Sequence, residues 1–341
     1  MKEFIRIAAD LGKNSFQVHA VTNENGDPVR RKLSRAKFRE FAANAKPCLV
    51  AMEACGSARY WGRELMAMGH DVRLIPPVYV KPYVKRGKND AADAAAICEA
   101  ATRPDMRFVP VKSAEQQATL MLHGSRELLI KQRTMLVNAP RGHLSEFGII
   151  AAKGISHVDE LIELVKQDAT LPKIAKGCVD ILAAQIASLN TSIKAIEAQL
   201  KQALAQDEVA RLLDAIPGVG LIVATAVRSI VPDGRIFKAG RDFSAWMGLT
   251  PRQNSTGGKE KLGSITKQGN RYLRKQLVVA STSLIRVAKK YTGELADWIN
   301  ALRARKPERF VSVALANKLG RIIWAVMTTG ESFRKEKFAK A

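Results

Sequence analysis

Four acidic residues near the start of the chain have the types and spacing that chemistry at phosphorus requires. Asp10 closes the apolar run 4–9 (FIRIAA), Glu53 closes the run 48–52, and Asp90 and Asp93 open an alanine-rich segment. Residues spaced i, i+3 share one helical face, so Asp90 and Asp93 present their carboxylates together. If the runs ending in Asp10 and Glu53 are neighbouring strands, those two carboxylates leave the sheet at one edge and all four acids converge. Hard divalent ions, Mg²⁺ or Mn²⁺, take carboxylate and water oxygens, and paired ions stabilise both the attacking and the leaving oxygen of a phosphoryl transfer. Each acid alone has a plainer role: Asp10 shaping a turn, Glu53 capping or pairing, Asp90 and Asp93 favouring a helix N-terminus. Only the set points to metal-dependent cleavage of a nucleic-acid backbone.

A second group of residues lies far along the chain. The stretch 249–258 (LTPRQNSTGG) sets two hydroxyls, Ser255 and Thr256, beside a Gly-Gly pair. Arg252, Lys259, Lys261, Lys267, Arg271, Arg274 and Lys275 surround them, with Glu260 as the single acid between Pro251 and Lys275. Such cations hold a phosphodiester and offset charge on its oxygens while Ser255 or Thr256 attacks. The alternative is a loop that contacts phosphate without nucleophilic duty. Upstream, Ile216-Pro-Gly-Val-Gly220 lies between helical stretches 207–215 and 221–230. Gly218, Gly220 and the amides of the following helix could meet a phosphate in a helix-hairpin-helix-like element, or form a Pro-Gly turn that only packs two helices.

The elements that must position these groups follow from periodicity. Alternating runs 4–9, 15–21 and 29–33 predict three strands in a meander, with turns at Asn25-Gly26 and Asp27-Pro28. Helix 36–45, strand 47–53, helix 57–69, strand 71–75 and a helix over 89–102 come next. This order predicts an α/β domain with a mixed sheet. From Ser113 the pattern turns helical, with Gln116 completing a capping box and Pro140 expected to kink or end the first helix. Leu182, Ile186, Leu189, Ile193, Ile196 and Leu200 then repeat at spacings of 4, 3, 4, 3 and 4, a heptad seam. It needs a partner, either the earlier helix of this chain or the same helix of another subunit. A mostly helical second domain begins near 208 and carries an irregular loop over 250–270.

With 341 residues the chain has room for two domains. Its 55 Lys and Arg against 32 Asp and Glu leave a net charge of +23, which calls for a polyanionic partner, nucleic acid first. No run of eighteen apolar residues and no secretory leader pattern occurs, so the expected setting is cytoplasmic, with no membrane partner. Cysteines 48, 55, 98 and 178 make neither a disulfide framework nor a zinc clamp and are expected to be reduced core residues.

The ordered combination of Asp10, Glu53, Asn89-Asp-Ala-Ala-Asp93, the Ile-Pro-Gly-Val-Gly turn, the Ser255 stretch and the 267–274 run KQGNRYLR resembles the DEDD transposases of the insertion sequence 110 family, which include pilin-inverting recombinases. The resemblance covers nearly the whole chain. It implies an RNase H-like (RuvC-like) metal-binding domain over 1–110, a helical coiled-coil connector over 111–206 and a C-terminal transposase domain over 207–341. It also implies that Asp10, Glu53, Asp90 and Asp93 hold Mg²⁺, and that Ser255 forms a transient phosphoserine link to DNA before strand exchange through a Holliday junction. Homodimers that pair into tetramers, active sites shared between subunits and an element-encoded noncoding RNA guide are further implications. The competing readings are a junction resolvase whose acids activate water, and a catalytically inert nucleic-acid-binding protein.

Overall fold

Period-two burial builds the first half of the molecule. In the computed structural model, which describes residues 3–23, 27–85, 89–334, 336 and 339–340, the strands β1 (Arg6–Leu11), β2 (Ser15–Val21) and β3 (Val29–Ser34) form an antiparallel meander. Helix α1 (Arg35–Ala43) leads to β4 (Leu49–Glu53), which pairs parallel to β1. Helix α2 (Ala58–Ala67) leads to β5 (Asp71–Ile75), parallel to β4, and the short α3 (Pro77–Val80) and α4 (Asp90–Ala100) follow. The sheet order is β3-β2-β1-β4-β5. These elements match the sequence expectation closely, although the first strand begins at Arg6 and Phe4 instead packs its ring on Phe41 at 5.4 Å. The expected Asn25-Gly26 turn lies outside the described residues.

The sheet has two differently filled faces. Phe16, Phe38, Trp61, Leu65, Val50 and Met52 fill the side of α1 and α2; the rings of Phe16, Phe38 and Trp61 meet edge-on at 5.1–5.2 Å, the arrangement that aromatic quadrupoles favour. Ala8, Ala51, Ala96, Ile97 and Ala100 fill the other side. Small residues on both surfaces let α4 lie close to the strands, which sets the position of its first turn.

Met1–Ala114 and Glu115–Ala341 form two compact units. The second opens with α5 (Ala114–Ser145), α6 (Val158–Gln167) and α7 (Lys173–Gln206). Arg126 pairs with Glu197 at 2.7 Å and Arg133 donates to Asn190 at 2.8 Å, while Val137 clusters with Ile186 and Leu144 with Val179. Numbers rise along α5 as they fall along α7, so the helices run antiparallel, and the buried Val179, Ile186, Ile193 and Leu200 face α5. Of the two partners open to the seam, the earlier helix of the same chain lies along it.

Pro140 neither ends nor interrupts α5, which continues to Ser145. Proline loses one backbone bond and crowds the preceding turn, a cost of about 3 kcal/mol. Here Pro140 is buried, and the next residue ties the helix down. Arg141 donates to Val137 O at 2.9 Å, Ala152 O at 3.2 Å and Gly154 O at 2.6 Å.

The rest of the unit comprises α8 (Glu208–Asp214), α9 (Gly220–Ile230), α10 (Gly240–Trp246), the strands β6 (Pro251–Gln253) and β7 (Leu262–Ile265), α11 (Arg271–Val287), α12 (Glu294–Arg303) and α13 (Glu308–Thr329). Val223, Phe243, Met247, Leu277, Leu315 and Ile323 belong to its core. Helix α13 is long and apolar enough to cross a membrane by length and composition, but Val311, Leu315, Leu319, Ile323 and Val326 are spent on that core. His123 of α5 is buried between α9 and α11, with Nε2 3.1 Å from Thr225 Oγ1 and Nδ1 2.9 Å from the Tyr272 hydroxyl. Because Thr225 donates its hydroxyl to Leu221 O, neutral His123 must donate from Nε2 and accept from Tyr272. The cysteines are free, yet only Cys98 is buried and Cys178 is exposed, since α7 turns that position outward.

Candidate active site

Strand register brings Asp10 and Glu53 to one edge. The β1–β4 ladder pairs Ala8 with Ala51 and Ala9 with Met52, so the next residue on each strand is Asp10 or Glu53. Side chains alternate across a sheet, which returns both carboxylates to the face occupied by Ala8 and Ala51, the face covered by α4. That helix starts where Asn89 Oδ1 accepts from Ala92 N at 2.8 Å. The cap places Asp90 and Asp93 in the first turn, where free amides favour negative charge.

The result is a cluster in which one oxygen each of Asp10, Asp90 and Asp93 lie within 4.8 Å of one another. Glu53 stands outside that tight group but within its field. Burial first, then the charges of Asp93 and Asp90, raise the Asp10 pKa above the usual carboxylate value. Burial, then Asp10 and Asp93, do the same for Glu53. Among the described residues no ion pair neutralises these acids. Such an all-oxygen, mutually repelling donor set fits a hard divalent cation.

The stretch expected to be an irregular loop is a β-hairpin. Strands β6 and β7 pair antiparallel, Asn254 N donates to Lys261 O at 2.9 Å, and Thr256 bridges to Lys259. Gly257 and Gly258 take φ of 56° and 77°, the two positive values of a type I′ turn. Every residue from Pro251 to Ser264 is exposed, so there is no apolar alternation from which to read the strands. Ser255 stands exposed just before the tip, next to Thr256, with Arg252, Lys259 and Lys261 on the same hairpin.

Two glycines fix the hairpin's base. A Cβ on Gly269 would lie 1.8 Å from Trp246 O, and one on Gly248 would lie 2.3 Å from Gln268 O; φ is positive at both. Lys267 adopts φ 57° beside them, and Asn270 Oδ1 accepts from Leu273 N to start α11. Arg271 is exposed on the first turn of α11. Arg274, however, spends its guanidinium on Met247 O at 2.7 Å and Gln268 O at 2.8 Å, and Lys275 pairs with Glu127 at 2.5 Å. The basic run predicts phosphate contacts for both, and the structure adds these engagements within the fold, which nothing in a basic run could reveal. Gly218 lies between α8 and α9 and Gly220 opens α9, with φ of 81° and 47°, both exposed.

Comparison with known proteins bears on this arrangement. The sequence model of a DEDD transposase family matches residues 7–149, and that described as the transposase IS116/IS110/IS902 family matches residues 210–295. A Sinorhizobium fredii protein is 47% identical over 336 residues, spanning 98% of this chain and 87% of its own length. A Pseudomonas aeruginosa protein named as a probable family 20 transposase is 46% identical over 96% of this chain and 98% of its own. The transposase for insertion sequence element IS1328 of Yersinia enterocolitica is 40% identical over 96% of this chain and 98% of its own.

Proposed function

Because this chain belongs to the IS116/IS110/IS902 family of transposases, we propose that it cuts and rejoins the DNA strands of a mobile element using divalent ions on its acid cluster and a serine nucleophile. The observation that carries the reading is the convergence of Asp10, Asp90 and Asp93 within 4.8 Å, with Glu53 in their field. Mg²⁺ or Mn²⁺ held by these four residues would supply charge stabilisation at the phosphoryl oxygens. Ser255 Oγ forms a bond to phosphorus as a bridging P–O bond breaks. The serine gives up its proton, the departing DNA oxygen takes one up, and a DNA hydroxyl later displaces the serine to rejoin the strand. Arg252, Lys259, Lys261, Lys267 and Arg271 bind the phosphodiester electrostatically. Arg274 and Lys275 act behind them by holding α11 and the hairpin base.

The finer assignments rest on further support. Strand order β3-β2-β1-β4-β5, with an antiparallel meander and two parallel strands, favours an RNase H-like domain over 1–110. The paired helices over 111–206 suit a connector, and the glycine turn at Gly218 and Gly220 suits a helix-hairpin-helix-like phosphate contact in the domain 207–341. The net charge of +23 suits both DNA and an element-encoded guide RNA. Met121, Leu128 and Met135 recur every seven residues on the exposed side of α5, which supports homodimers that pair into tetramers.

The test is a gel assay of purified protein with Mg²⁺, junction DNA of the element and its flanking noncoding RNA. Wild type yields recombinant product and a denaturation-resistant protein–DNA adduct, and both Ser255→Ala and Asp10→Ala lose them. Cleavage that persists in Ser255→Ala but not in Asp10→Ala overturns the serine assignment in favour of activated water.

A further inference from the structure

Two cations near the acid edge have no counter-charge. Lys112 is only 5% exposed, and among the described residues no hydrogen bond or ion pair satisfies its ammonium. Arg59, in the first turn of α2, has an Nε enclosed by protein and without a partner. A charge buried as Lys112 is must be compensated if it is not to destabilise the fold.

Their setting explains what compensates them. Residues 111 and 112 lie along the start of α2: a Cβ on Gly62 would meet Val111 Cγ2 at 2.9 Å, and Arg63 donates to Lys112 O at 3.0 Å. The Lys112 charge lies within electrostatic reach of Arg59, one turn before Arg63 on the same helix. The two charges sense each other. Burial first and Arg59 second push the Lys112 pKa down to about 8. At the N-terminus of α2, Ala58 N is spent on Cys55 O at 3.3 Å, the next amides have no intrahelical acceptor, and Ser57, the cap residue, makes no side-chain cap bond. Arg59, on the first turn of a ten-residue helix, and Lys112 thus stand within electrostatic reach of each other, and a tetrahedral anion bound there would compensate both charges. The loop 54–57 joins this place to Glu53 on the sheet edge.

We propose that Lys112, Arg59 and the first turn of α2 form a binding site for a backbone phosphate of nucleic acid, one that flanks the scissile phosphate and sets the strand's register against the acid edge. The proposal rests on the reading that the substrate is nucleic acid. It assigns to the first unit a phosphate contact separate from the basic hairpin, and none of its residues is a metal ligand.

Lys112→Met keeps the side chain's length and removes the charge. In full-length protein without phosphate this variant melts at a higher temperature than wild type, because an uncompensated buried charge is gone. Inorganic phosphate raises the melting temperature of wild type and leaves that of Lys112→Met in place. In fluorescence anisotropy with a duplex oligonucleotide over a salt series, Lys112→Met binds several-fold more weakly, and its log–log salt slope is smaller by about 1. Arg59→Met reads the same way should Lys112→Met fail to fold. A variant that melts lower, responds to phosphate like wild type and keeps affinity and slope overturns the proposal and makes Lys112 an internal prop. Phosphate stabilisation lost in the variants, in a protein that binds no DNA, would sink the transposase mechanism instead and leave the anion site standing.

Discussion

At the scale of single residues, burial and neighbouring charge set the acid cluster and His123 apart from ordinary surface groups. Carboxylate oxygens of Asp10, Asp90 and Asp93 lie within 4.8 Å of one another, so under the proposed function a divalent cation bound there would stabilise the fold as well as the reaction. Saturating Mg²⁺ at about a hundred times its dissociation constant contributes roughly 2.7 kcal/mol. Calorimetry with and without Mg²⁺ should show that rise for wild type and little of it for Asp10→Asn, whose metal-free form is at least as stable as wild type. An equal Mg²⁺ response in both proteins would remove Asp10 from the metal site. His123 works in the opposite sense. Burial first, and Arg126 second, lower its pKa to about 4, below the ordinary value of about 6.5. A group that prefers to stay neutral in the fold stabilises it fully above its unfolded pKa and loses that contribution as pH falls. The melting temperature of wild type should therefore fall between pH 6.5 and about 4 more steeply than that of His123→Gln, and parallel curves would contradict it.

At the scale of elements, two packing arrangements hold the reactive segments. The α5–α7 pair presents Leu200 fully buried, so Leu200→Ala should cost about 2–5 kcal/mol, read by urea denaturation; a loss below about 0.5 kcal/mol would mean that the seam is not closed in solution. The hairpin that carries Ser255 is governed by its base, since its strands bury almost nothing. Gly269→Ala drives a methyl group toward Trp246 O, and Trp246 must shift or the hairpin must swing. We expect strand cleavage to fall at least tenfold while DNA affinity changes less than threefold, because the cations remain and only their aim is lost. Unchanged cleavage would show that the base tolerates the shift.

At the scale of the whole molecule, charge dominates. With +23 in excess, a footprint on the order of 6–10 phosphates would make raising salt from 50 to 200 mM weaken DNA binding by about 10³–10⁵. A tenfold change or less would point to a much smaller footprint. Assembly is the second property at this scale. If the proposed homodimer forms through α5, replacing Met121, Leu128 and Met135 together with Gln should lower the mass measured by light scattering without lowering the melting temperature, because all three side chains are exposed; an unchanged mass would overturn that contact.

Much of this was legible in the linear order of residues. Period-two and heptad patterns located the five strands of the first sheet and the 182–200 stretch of the long helix 173–206, because burial on one face leaves a repeat in the sequence. The convergence of Asp10, Asp90 and Asp93 was legible, since each stands at the end of an element or in its first turn, while Glu53 lies outside that tight group. What burial does not pattern stayed hidden. The hairpin around Ser255 is exposed on both faces, so its strands looked like loop. Pro140 carried a breaker's signature that the packing around Arg141 overrode. Arg274 and Lys275 read as free cations until carbonyls and a carboxylate from elsewhere in the fold were found beside them. Lys112 and Arg59 lie 53 positions apart and share no motif. Local periodicity records which face a residue turns inward; only the tertiary structure decides what waits for it there.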